Sequence, residues 1–233
     1  MGAKPGRKAA GTRLDHGAVL AAAERVLRRE GLEGFSMRKL ARQLGATPMA
    51  VYRYFPGKEA LLDALVDRQM EGLAAPAGRS APWQARARAL AHGYRARLLT
   101  WPEAVPWVLR RVGVSPGALR QYDAALAVVR ESGLPDAEVV RVVDAVVSFV
   151  LGFVAIEVAR RSARTAERGY RTRVPYFLRL PPLEFPALIA LAPHAGDFDD
   201  ELFGFGVGLL LEGAAARAAR RKPRSHLPRL RPS

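Results

Sequence analysis

Residues 47–65 read TPMAVYRYFPGKEALLDAL, and three consecutive large polar-tipped side chains, Tyr52-Arg53-Tyr54, stand in the middle of that stretch. A core helix would interleave such residues with apolar ones, and a solvated face would rarely carry two tyrosines. The neighbours say where the triplet sits. Thr47 is a good helix N-cap, and Pro48 suits the first helical position, where its missing N–H breaks no bond. Ala50, Val51 and Phe55 give this short helix an inward side. Pro56-Gly57 turns the chain into a further helix that runs through Leu61, Leu62, Leu65, Val66 and Met70. Thr47, Met49, Tyr52, Arg53 and Tyr54 are left pointing outward.

Upstream, Ser36 is an N-cap for another short helix with Leu40, Ala41 and Leu44 inward, and Gly45 stops it. Between His16 and Glu30, Val19, Ala22, Ala23, Val26 and Leu27 recur at helical spacing, and Gly31 follows as a C-cap. Two short helices joined by a tight glycine-containing turn make a helix-turn-helix. In that motif the second helix enters the major groove with its N-terminal residues at the base edges. The outward residues suit such a partner: tyrosine hydroxyls reach phosphates, arginine forks onto guanine, and methionine or a ring touches a thymine methyl. Lys58, just past the turn, suits a phosphate.

Charge agrees with this reading. The 233-residue chain carries a net charge of +15, and residues 1–60 hold 12 basic against 5 acidic groups. Residues 61–157 are nearly balanced, residues 158–180 are again basic, residues 181–212 acidic, and the tail from Gly213 basic. A basic N-terminal quarter joined to a neutral body points to nucleic acid at one end. Arginine outnumbers lysine 32 to 5 and asparagine is absent, so part of the basic excess reflects residue usage rather than a binding surface. There is no cysteine, which excludes disulfides, thiolate metal sites and cysteine nucleophiles. The basic start lacks an apolar signal core and no run approaches 18 uninterrupted apolar residues, so the expectation is a cytoplasmic protein without a membrane partner.

The stretch GFSMRKLARQLGATPMAVYRYFPGKEALLDAL, residues 34–65, resembles the DNA-binding domain of the tetracycline-repressor (TetR) family of bacterial transcriptional regulators. The likeness runs from about Leu14 to Met70. It rests on the (S/T)-x-R-x-(L/I)-A-x-x-L-G-(V/A) helix, the x-Tyr-x-(Y/H)-F end and the x-(G/N)-K-x-x-L-L start. By position, the resemblance implies that Ser36 and Arg38 on the second helix meet the DNA backbone and could reach a base. Thr47, Pro48, Met49, Tyr52, Arg53 and Tyr54 form the groove face, and Lys58 lies on a phosphate. Where the family's namesake has a base-reading glutamine after an acidic residue, this chain has Pro48 after Thr47, so its operator should differ.

Proline and glycine divide the remainder into helices at about 82–99, 102–112, 115–132, 135–161 and 197–219, with a short one near 183–192. No strand alternation or repeat interrupts them, so the fold class is all-α. The expected organisation is a basic arm at 1–13, a helix-turn-helix domain at 14–72, a helical domain at 82–219 and a basic tail at 220–233. Helices 135–161 and 197–219 are apolar over most of their circumference and need partners on two sides, one of which could be a second subunit.

The resemblance extends to this part through Trp83, GLPDAEVVRVVDAVVSFVLGFVAIE and FPALIALAPHAGDFDDELFGFGVGLLLEGA. It implies a homodimer joined through a four-helix interface, a palindromic double-stranded DNA operator, and an interior pocket for a small-molecule effector. Aligned from Trp83, the namesake's metal-binding histidine falls on Val108 and two further polar contacts fall on Ala74 and Leu90, while the aromatic contact survives as Tyr94. An isopropyl group cannot replace imidazole at a cation, so no metal or other cofactor is expected. Tyr94, Trp101, Trp107, Tyr122, Phe149 and Phe153 would line a site for an aromatic or apolar ligand, with His92 and Glu157 as polar contacts.

An enzyme is not expected. The four histidines are scattered, there is no phosphate-binding glycine loop, and the acidic residues Asp197, Asp199, Asp200 and Glu201 sit where a helix N-terminus favours negative charge. The remaining alternative is a DNA-binding protein without an inducer, architectural or controlled by a protein partner.

Overall fold

The helix punctuation written in the sequence is the punctuation of the folded chain, with three exceptions. The computed structural model describes residues 14–73, 80–111, 115–164, 173–196 and 198–221. The basic arm, the tail beyond Arg221, Ala74 and Asp197 lie outside the described residues. Among those described there is no strand, and the chain separates into two compact units, residues 1–69 and 70–233.

The first unit holds α1 (His16–Gly34), α2 (Met37–Gln43), α3 (Pro48–Tyr52) and all but the last residue of α4 (Lys58–Met70). The first three starts have side-chain caps. The Asp15 carboxylate accepts from the Ala18 amide at 2.7 Å, Ser36 Oγ from Lys39 at 3.3 Å, and Thr47 Oγ1 from Ala50 at 3.3 Å. Val19, Ala22, Ala23, Val26 and Leu27 of α1 are fully buried, with Leu40 of α2, Val51 of α3 and Leu61 and Leu65 of α4. Glu24 pins α1 to α4, accepting from Arg68 Nη2 at 2.7 Å and Gln69 Nε2 at 3.2 Å.

The first exception is at Gly31. Its φ of 68° and ψ of 177° break the helical path where a C-cap is expected, but helical geometry resumes and carries α1 on to Gly34.

The second unit contains α5 (Trp83–Leu99), α6 (Val105–Arg110), α7 (Pro116–Arg130), α8 (Asp136–Arg164), α9 (Arg173–Phe177), α10 (Pro186–Leu191) and α11 (Asp200–Arg221). The expected helix 102–112 is the second exception. It opens as a 3-10 turn over Pro102–Ala104 before α6, because prolines at 102 and 106 remove two amide donors. The third is α9, a single turn unforeseen in the sequence, where Pro175 at the third position left too little periodicity to read.

α5, α8 and α11 pack on one another, with α7 against α5 and α8, and α6 against α8. Phe203, Val207 and Leu211 of α11 and Val150 and Val154 of α8 form the buried centre. α11 passes close to α8 at Gly206, where a Cβ would be driven into the Phe149 ring, 2.7 Å from its Cε2.

Both long helices keep a second apolar side. α8 exposes Val140 and Ile156, and α11 exposes Leu202, Phe205 and Leu209. By length and composition alone each could span a membrane, with mean hydropathies of 2.3 and 1.4 over the best windows, a third of which is buried inside the chain.

Candidate functional site

Two groups of sequence-predicted residues fall in separate units. In the first, α3 is a five-residue helix with one side buried. Val51 is fully covered and Phe55 is 6% exposed, whereas Met49 is 73% and Tyr52 43% exposed. Pro48 and Arg53 are exposed as well. On α2, Arg38 is exposed and Ser36 is half-buried in its capping role. Thr47 faces solvent at the start of α3, but its hydroxyl is engaged as the cap. These residues share one exposed surface built by α2, the turn at Gly45 (φ 61°) and α3.

Two members of the expected DNA face sit differently. Tyr54 folds back on the N-terminal end of α1, its hydroxyl donating to the Leu14 carbonyl and its ring edge-on to His16 at 5.3 Å. The helix ends at Tyr52, so residue 54 no longer follows helical spacing and its ring finds a half-buried slot. Lys58, expected on a phosphate, donates from Nζ to the Leu32 carbonyl at 2.9 Å and the Phe35 carbonyl at 3.1 Å. The ammonium also lies 5.7 Å from the Phe35 ring centroid. Those carbonyls lie where α1 ends, and a cation there satisfies acceptors that no helical amide reaches. The lysine thus ties the start of α4 to the junction between α1 and α2.

In the second unit the structure brings together four of the eight expected ligand residues. His92, Phe149 and Phe153 surround Phe203, with ring centroids at 4.9, 5.7 and 5.2 Å. Glu157 joins them through Arg95. The guanidinium forks onto Glu157, Nε to Oε2 at 2.9 Å and Nη2 to Oε1 at 3.0 Å, and donates from Nη1 to Asp200. It also lies over the rings of Phe153 and Phe203, at 5.5 and 4.9 Å. Arg161 adds a bond to Glu157 Oε1 at 2.6 Å. Glu157 is 3% exposed and already holds three guanidinium bonds, so the polar contact expected for a ligand is engaged inside the chain.

The remaining four lie apart from this cluster. Tyr94 is half-buried on α5, and burial pushes its phenol pKa up. Trp101 is 3% exposed at the head of the 3-10 turn, its Nε1 without a hydrogen-bond partner among the described residues. Trp107 is buried on α6, with the Arg111 guanidinium 5.6 Å from its ring. Tyr122 donates to Asp144 Oδ1 at 2.7 Å, which together with partial burial raises its pKa.

A cleft of about 220 Å³ opens beside the cluster between Arg95, Glu157, Arg160, Phe198 and Asp200. Apart from Phe198, its lining is charged. Burial lowers the His92 pKa below its ordinary 6.5, aided by Arg95 and Arg88 and opposed by Asp200. Hydrogen bonding to Arg95 holds the Asp200 carboxyl below its usual range.

Sequence reading missed Arg95 and Phe203, and placed Asp200 only at a helix N-terminus without its partner Arg95. Arg95 had a signal: it falls on the same stripe of α5 as Ala91 and Leu98, where an isolated cation needs a buried partner.

Residues 19–65 match the family model for bacterial regulatory proteins of the tetR family, and residues 75–218 match that for the tetracyclin repressor-like C-terminal domain. The chain belongs to the TetR family. It is 31% identical over 218 residues to the HTH-type transcriptional repressor DrrR1 of Streptomyces coeruleorubidus, covering 89% of this chain and 79% of that one. Over 213 residues it is 30% identical to the class A tetracycline repressor protein from transposon 1721 of Escherichia coli, covering 88% and 93%. Among solved structures, a possible TetR family transcriptional regulator from Streptomyces coelicolor A3(2) superposes with a TM-score of 0.74 at 29% identity. That match covers 87% of this chain and all of the other. The apo form of ActR from Streptomyces coelicolor, at 22% identity and a TM-score of 0.79, shares the fold over 91% of this chain and 99% of its own. The TetR-family all-α architecture expected from the sequence is thus the architecture found.

Proposed function

We propose that this TetR-family chain is a homodimeric, sequence-specific repressor that binds a palindromic DNA operator and is released by a small apolar or aromatic effector. The observation that carries the DNA-binding part is α3, whose buried side is Val51 and whose other side offers Met49, Tyr52 and Arg53 to solvent. Residues 14–72 are the DNA-binding part and residues 82–219 the effector and dimerisation part. The dimer is supported by the second apolar sides of α8 and α11, which a second copy of the same two helices would cover. A two-fold protein presents two reading helices, and two-fold half-sites follow from that symmetry.

Effector release is supported by the relatives named as tetracycline repressors. Magnesium has no role in it, because Val108 offers no ligand atom. A second reading, a regulator without a small-molecule effector, is favoured by one observation: His92, Phe149 and Phe153 pack on Phe203, and Glu157 is held by two arginines. Two measurements test these readings. Light scattering at micromolar protein should return a dimer with and without DNA, and a monomer in both would refute the two-fold operator. Thermal melting against a broad library should find at least one compound that raises the midpoint and also releases DNA. A library that raises no midpoint favours the second reading.

A further inference from the structure

We infer that Met49 reads thymine C5-methyl groups in the major groove, so that the operator half-site is selected by methyl contacts together with the Arg53 contact. The inference rests on the DNA-binding reading above and names the base chemistry of that face.

The argument starts from what α3 has left to offer. Spacings of three and four residues bring Met49, Tyr52 and Arg53 onto one side of the helix. Three polar groups near that side are already engaged within the chain. The Thr47 hydroxyl caps Ala50, the Tyr54 phenol donates to Leu14, and the Lys58 ammonium holds Leu32 and Phe35. From Thr47 to Lys58 there is no aspartate, glutamate, asparagine or glutamine. Carboxylates are the groups that accept from cytosine, and side-chain amides are those that fork onto adenine. α3 and the turn after it therefore have no side chain of the kind that reads either base by hydrogen bonds, and the amide oxygen of exposed Gln43 on α2 accepts from Arg29.

What it has is an arginine, a phenol at the outer edge and a 73%-exposed thioether. The thymine methyl is the apolar feature of a base pair's major-groove edge. Methionine is unbranched and polarisable and fits itself to such a group without demanding one geometry. The surroundings fix the kind of partner. Arg38, Arg42 and Arg53 are exposed around the helix, and residues 1–60 carry 12 basic against 5 acidic groups, which suits a phosphate-bearing duplex.

The test uses the full chain. An operator duplex is enriched from a random double-stranded pool, and a copy is made with deoxyuridine in place of thymidine throughout, which removes the methyls and keeps the base pairing. Each buried methyl is worth about a fourfold change in affinity, so one contact in each of two half-sites gives a loss of roughly tenfold or more for the wild-type chain. Met49→Ala should bind the thymine duplex more weakly and bring the thymine-to-uracil ratio toward one. Arg53→Ala should weaken binding while keeping that ratio. Thermal melting of Met49→Ala should match the wild type, since the side chain is open to solvent. Equal wild-type affinity for both duplexes, an unchanged ratio in Met49→Ala, or a half-site without thymine overturns the inference and leaves DNA binding standing. Failure to enrich any duplex overturns both.

Discussion

Replacing Glu157 by glutamine tests the buried centre of the C-terminal unit. The change keeps the shape of the side chain and removes its charge, leaving the Arg95 guanidinium, 5% exposed, with Asp200 as its carboxylate partner. Glu157 is itself 3% exposed, so both members of the pair have lost nearly all contact with water. Removing one partner of a buried ion pair costs about 3–5 kcal/mol when the remaining charge is left unpaired, and the retained Asp200 holds this cost toward the lower end. For a unit of this size that corresponds to a fall in melting temperature of roughly 6–20 °C. The assay is urea unfolding followed by circular dichroism at one fixed protein concentration, since coupling to association makes stability depend on concentration. Three variants complete it. Arg161→Ala removes the more exposed of the two arginines on Glu157 and should cost no more than about 1 kcal/mol. Arg95→Met should cost as much as Glu157→Gln. The double change Arg95→Met/Glu157→Gln should cost clearly less than the sum of the two single changes, because it leaves neither member of the pair charged against Phe153 and Phe203. A cost below about 1 kcal/mol for Glu157→Gln, or simple additivity of the two single changes, would show that water reaches this pair and that it does not hold the helices together.

Lys58→Met should destabilise the N-terminal unit by about 1–3 kcal/mol, read by hydrogen exchange at residues 16–69, because two carbonyls at the α1–α2 junction lose their donor. The salt dependence of DNA binding should stay as in the wild type; a slope lower by about one unit would return the ammonium to a phosphate. The His92 pKa is depressed on folding, so the unfolded chain binds the proton first. Stability should therefore fall as the pH drops below the ordinary value of 6.5, and the loss should be complete once the pH passes the folded value. His92→Leu should flatten a stability profile taken from about pH 7.5 to about pH 5, and an unchanged profile would assign the dependence to another group.

The sequence by itself determined most of the helices, their caps and the exposed side of α3, because those depend on near neighbours along the chain. Asp15, Ser36 and Thr47 each cap the helix that follows, and Pro48 and Val51 fix which side of α3 turns inward. The family was legible for the same reason: its marks lie within a few dozen consecutive residues. Tertiary structure decided where long side chains spend their polar ends. Lys58 is 26 residues from Leu32, Tyr54 is 40 from Leu14, and Arg95 is 62 from Glu157 and 105 from Asp200. Local periodicity carries no information over such separations. It shows that a lysine precedes a helix, or that an arginine interrupts an apolar stripe, but not which carbonyl or carboxylate the fold brings within 3 Å. The aromatic residues follow the same rule. Sequence named rings from α5 through α8, Trp101 and Trp107 among them, as one set, and packing gathered some of them on Phe203, because the crossing of α5, α8 and α11 decides which faces meet.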